Sequence, residues 1–137
     1  MQMNSTRETL LDPALEVPAS DVRWFFMRDF YDGPISGLVI FRSRIVRCCC
    51  FQEDVGEQKV YVLQELSAAE LAEERRIKAK FERMVGTHGC FDEAGMLMPK
   101  SIGDESSRAQ FFEEEKHDSS LSPYDRPIIA WFDISKK

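Results

Sequence analysis

Between Val22 and Leu66 the chain carries four runs rich in β-branched and aromatic residues, and the gaps between them are short. That spacing constrains the fold more than any other feature. Parallel neighbours need a crossover of a dozen or more residues, whereas antiparallel strands join through a few. The runs are Val-Arg-Trp-Phe-Phe-Met at 22–27, Ile-Ser-Gly-Leu-Val-Ile-Phe at 35–41, Arg-Ile-Val-Arg-Cys-Cys-Cys-Phe at 44–51 and Lys-Val-Tyr-Val-Leu-Gln-Glu-Leu at 59–66. Residues 29–34 read as a turn, because glycine in Asp32-Gly33-Pro34 accepts positive φ and proline lacks an N–H. Arg42-Ser43 is either a tight connection or part of a strand, and the polar stretch 52–58 is a loop. Arg-Pro-Ile-Ile-Ala-Trp-Phe-Asp-Ile, 126–134, adds a last strand, with Pro127 at its start where a missing donor is tolerated.

The sharpest local signal is Leu66-Ser-Ala-Ala-Glu-Leu71. Ser67 is placed as an N-cap, Glu70 as its partner at the third helical position, and Leu66 with Leu71 as a hydrophobic staple. The helix it starts should run from Ala68 to about Val85, with Gly86 closing it. At ~100° per residue, Leu71, Ile77, Phe81, Met84 and Val85 fall within one arc, which should lie on the sheet. A second, shorter helix with a serine cap is expected near 106–116. The remainder of 87–125 is broken by Gly89, Gly95, Pro99 and Gly103 and reads as cover for the opposite face of the sheet. Residues 1–20, with Pro13 and Pro18, read as an arm prone to fraying. The fold expected is therefore α+β: one domain over 21–137, a mainly antiparallel sheet of about five strands packed against one long helix.

Three of the four cysteines are consecutive, Cys48 to Cys50. In a strand, successive side chains point to opposite faces. Cys49 then shares a face with Ile45 and Arg47, and Cys48 and Cys50 share the other with Val46. Such neighbours cannot converge on one tetrahedral ion, and the spacing that wraps a loop round zinc is absent. They read as core residues, since reduced cysteine packs as a small hydrophobe. The alternating arginines, Arg44 and Arg47, read as a solvated face. No metal site and no cofactor is expected.

The one stretch that invites catalytic chemistry is Gly-Thr-His-Gly-Cys, 86–90, where His88 and Cys90 are candidates for a thiolate–imidazolium pair. A glycine-terminated helix followed by a turn explains the same residues. Glu70, Glu73 and Glu74 suit acid–base work but are equally favoured by the helix dipole. Phosphate-binding, nucleophile-elbow, zincin and EF-hand signatures are absent. The aromatics are more informative: Trp24, Phe26, Tyr31 and Trp131 are candidates for a binding surface, because alternation cannot bury Trp24, Phe25 and Phe26 on one face. Covering both faces of the sheet is the plainer account.

Net charge −6, from 18 basic and 24 acidic residues, argues against a nucleic-acid surface. It suits a protein partner with a basic surface. No apolar run reaches the ~20 residues of a membrane span, and the first residues lack a secretory signal's apolar core. A cytoplasmic setting with reduced thiols is the expectation, and self-association stays open. The functional expectation is a non-catalytic protein-binding module of the inhibitor or immunity type. The alternatives are a thiol- or metal-dependent activity at His88 and Cys90, or a small-ligand binder with a cavity between sheet and helix.

Overall fold

The computed structural model describes residues 11–30, 34–50, 60–115 and 126–134. Within them a five-stranded antiparallel sheet runs in chain order: β1 (Val22–Phe30), β2 (Pro34–Phe41), β3 (Arg44–Cys50), β4 (Val60–Gln64) and β5 (Ala130–Asp133). It is the meander that the short gaps require. Two helices accompany it, α1 (Ala68–Met84) and α2 (Glu105–Glu114). Arg42-Ser43 is the tight connection, with φ of 52° and 64°. Positive φ at both positions matches the twist of paired strands, though neither residue is one that favours it.

The capping box at the start of α1 is complete. Ser67 Oγ accepts from the Glu70 N–H at 3.1 Å, and Glu70 Oε1 accepts from the Ser67 N–H at 2.8 Å. Ile77, Phe81 and Val85 are buried against the sheet with Phe25, Phe26 and Leu38. Lys78 joins that face by laying its ammonium 4.3 Å from the centre of the Phe25 ring and donating to Glu82 at 2.6 Å. The cap of α2 differs from expectation. Asp104, not a serine, accepts from the Ser107 N–H at 2.7 Å, because the carboxylate stands one residue ahead of the first helical turn. Phe111 of α2 packs edge-on to Phe81 at 5.4 Å.

Trp24, Phe25 and Phe26 are accommodated by a break in the pairing of β1 with β2. Trp24 pairs with Val39 and Phe26 with Leu38, so Phe25 is an extra residue. A second bulge follows, since Met27 pairs with Gly37 and Asp29 with Ser36, leaving Arg28 extra. A bulge re-aims the side chain it carries. Here each one adds a side chain to the helix-facing side: Phe25 under Lys78 and Arg75, and Arg28 towards Glu74.

The face away from α1 is concave. Trp24 of β1 meets Tyr61 of β4 edge-on with ring centres 6.1 Å apart, whereas strands three places apart in a flat sheet lie ~14 Å from each other. The curl lets Val39, Val46, Cys48, Tyr61 and Leu63 bury one another, with Val17 added from the N-terminal side. Residues 87–103 therefore do not cover that face, contrary to expectation. They line the outer edge of β1 instead, where Met27 N–H donates to Gly89 O and Phe91 N–H to Phe25 O. The outer edge of β5 is covered by residues 12–17: Val17 N–H donates to Trp131 O at 2.9 Å, and Trp131 Nε1 to Asp12 O at 2.8 Å. Both open edges of the sheet are thus blocked against further pairing. Among the described residues no helix is long and apolar enough to cross a membrane.

Candidate functional site

The strand alternation puts Cys48 and Cys49 on opposite faces, both buried. The same alternation carries Arg47 to the side of Cys49, where it is only 4% exposed. Arg47 is thus not part of a solvated face, unlike Arg44, which pairs with Glu65 at the surface. The reason is α1, whose first turns pass over this part of β3.

Between those turns and strands β1 to β3 the packing leaves a cavity of about 320 Å³. Arg28, Arg47 and Arg126 reach its wall, together with the apolar side chains of Leu38 and Leu66 and the first turns of α1. The arginines arrive from three separate parts of the chain: β1, β3 and the segment ahead of β5. Arg28 is the second bulge residue; its side chain is 8% exposed, and Nη1 donates to both carboxylate oxygens of Glu74, at 2.7 and 2.8 Å. Arg126 lies just ahead of β5 and grips Glu70 through two nitrogens, at 2.8 and 3.1 Å. Its carbonyl accepts from Gln64 Nε2 at 2.8 Å, and Gln64 is wholly buried on β4 beside Arg47 in the ladder. Behind Gln64, the Cys49 thiol donates to its Oε1 at 3.6 Å. The rim is therefore held by a chain of polar contacts running from the core of the sheet to the first turn of α1.

The glutamates flagged in the early turns of α1 serve this frame. The Arg126 guanidinium, then the Ser67 N–H, hold Glu70 down to a pKa of about 2. On the outer side of α1, Arg76 bridges Glu73 and Glu115 at 2.6 and 2.9 Å, and Arg76 followed by Lys80 brings Glu115 to about 2. Both carboxyls titrate below the ordinary value of 4.5. The unfolded chain then binds more protons as pH falls, so this contribution is present above about 4.5 and is lost between there and about 2. Glu70→Gln keeps the capping geometry and removes the charge. Urea midpoints of wild type and Glu70→Gln should differ at neutral pH and converge as pH drops through that window, with a smaller gap in high salt because the pair is partly exposed.

The residues singled out from sequence fall elsewhere. His88 is exposed, with its ring edge-on to Phe81 at 5.3 Å, in a cleft of about 580 Å³ shared with Met27, Arg108 and Phe112. Cys90 is wholly buried, and its thiol faces the Gly86 carbonyl at 3.9 Å. Burial first, and Glu82 second, push its pKa up to about 12. The thiol of Cys48 is raised too, by burial and by its neighbours Cys49 and Cys50. A thiol held protonated in this way is a poor nucleophile. Iodoacetamide at pH 8 should leave Cys90 and Cys48 unlabelled in the native protein and label both in urea; rapid labelling of Cys90 without denaturant would contradict this placement.

Phe26 is wholly buried against α1, Trp131 is buried on the opposite half of the same face, and Trp24 closes the concave core. Tyr31 lies outside the described residues. Among those residues no cluster of histidine, cysteine and carboxylate side chains forms a metal site.

No family model, curated protein or solved structure matches the chain.

Proposed function

We propose that the protein is a non-catalytic small-ligand-binding domain whose site is the cavity between α1 and the sheet. The observation that carries this reading is a hollow of about 320 Å³ whose wall gathers Arg28, Arg47 and Arg126 with the apolar side chains of Leu38 and Leu66. That volume lies at the small end of the range for ligand pockets, which combine apolar walls with a few placed polar groups. Among the described residues that line it there is no thiol, hydroxyl or imidazole side chain, and its three carboxylates each hold a guanidinium.

The protein-binding reading draws on a different surface. Phe112 is 54% exposed, and Met96, Leu97 and Ile102 are further exposed apolar side chains. Its electrostatic basis is weak on α1, where Glu70, Glu73, Glu74 and Glu82 each hold a cation of this same chain. Those carboxylates are not available to draw in a basic partner without breaking pairs already made. A cytoplasmic setting accords with the free thiols of Cys48, Cys49, Cys50 and Cys90.

Ala69 is exposed at the mouth of the cavity on the first turn of α1, so Ala69→Trp fills the hollow without entering the core. Native mass spectrometry of protein purified gently from its own cells should show a small-molecule adduct that the Trp variant lacks. An adduct retained in full by Ala69→Trp places the ligand elsewhere and defeats the reading. So does a bare mass combined with a thermal-shift screen in which no small compound prefers wild type to the variant.

A further inference from the structure

We infer that the cavity takes a small organic oxyanion, a carboxylate or phosphate carried on a compact apolar body. This rests on the cavity being the ligand site. Three guanidinium groups reach its wall, and a guanidinium is a fork of N–H donors matched to carboxylate and phosphate oxygens. The Arg28 side chain is more than nine-tenths buried. It donates to Glu74 from Nη1 alone, while its buried Nε meets no acceptor. An arginine has five N–H donors, so Arg28 retains capacity for an incoming acceptor. Arg47, buried to 4% exposure on the central strand, is fixed on the opposite wall.

The three glutamates at the cavity do not offer the same welcome to a cation. Glu74 is occupied by Arg28, Glu70 by Arg126 and Glu73 by Arg76, each through contacts of 2.8 Å or less. An ammonium group would have to displace or share a seated guanidinium and would sit next to two others. An oxyanion adds an acceptor to donors already in place. Leu38, Leu66 and Ala69 supply the apolar surface for the rest of the ligand.

Benzoate, phenyl phosphate, benzyl alcohol and benzylamine share a ring and differ in the head group, so calorimetric titration of the four against the full chain separates charge from shape. Benzoate or phenyl phosphate should bind, and the tighter of the two names the head group. Arg47→Met keeps the length and removes the fork; taking away one member of a buried polar contact is costly, so circular dichroism is run on the variant before titration. The substitution should weaken the anion by roughly tenfold or more, with Arg47→Lys in between. Benzyl alcohol or benzylamine binding as tightly as the anions overturns the inference, as does full anion affinity in Arg47→Met or no binding of either anion at millimolar concentration. Should Arg47→Met fail to fold, the four-probe comparison on wild type decides by itself. If Ala69→Trp abolishes binding of the uncharged probe, the cavity is still the ligand site and only the choice of an anion has failed.

Discussion

Replacing Phe26 by alanine is expected to remove about 3–5 kcal/mol of stability, the usual cost of emptying a fully buried aromatic site. Phe26 is 0% exposed and meets Phe81 of α1 with ring centres 5.4 Å apart. It also lies between the two bulges of β1, where the backbone is fixed by pairing on both sides: Leu38 of β2 on one and Cys90 on the other. Neither neighbour is free to collapse into the space. Folded domains are held by only about 5–15 kcal/mol, so the variant should be largely unfolded in low urea. Phe112→Ala is the control. That ring is 54% exposed on α2, and its loss should change stability by less than about 1 kcal/mol. Urea denaturation of the two variants beside wild type tests whether Phe26 is a core residue or the binding-surface residue that the sequence suggested. Similar midpoints for both would refute the core placement.

Gly37→Ala should be nearly as damaging, for a different reason. A Cβ at residue 37 would stand 2.0 Å from the Phe26 carbonyl oxygen and 2.9 Å from the Arg28 nitrogen. Both atoms are backbone, so no side chain can swing aside. The crowding follows from the bulges, because Gly37 pairs with Met27, which with Phe26 lies between them. Relief requires β1 and β2 to part, and overpacking of this kind costs about 3 kcal/mol at the upper end of its usual range. For a domain of this length that is a fall in Tm of roughly 10 °C. Since Arg28 and Gly37 both border the cavity, the variant should also lose ligand affinity under conditions where it is still folded. A Gly37→Ala protein with wild-type Tm would mean that the second bulge is not where it is placed here.

These two positions also show where sequence reasoning stops. The meander and α1 were legible because their signals are local: short gaps between strands, and a capping box within six residues. The burial of Cys48 and Cys49 on opposite faces was equally legible, since it needs only the two-residue period of a strand. Phe25 and Arg28 were not. A bulge belongs to a pair of strands, and its position is written in neither one alone. Arg47 had a signal that was available. The parity that places Cys49 in the core places Arg47 beside it, and a charged residue at such a position must find a pocket, a pair or the surface. Arg126 and Glu70 are 56 residues apart, and nothing local to either announces the other. His88 and Cys90 are close in the loop, but closeness there does not fix direction. The turn after α1 sends the imidazole outward and the thiol into the core.

The most direct test of the cavity as a binding site is a titration of isotopically labelled protein with benzoate, followed by backbone amide shifts. The account predicts saturable shifts concentrated at Gly37, Leu38, Leu66, Ala69 and Glu70, the residues bordering the hollow, and their disappearance in Ala69→Trp. Saturable shifts centred instead on His88, Arg108 and Phe112, or no saturation at any residue, would contradict it.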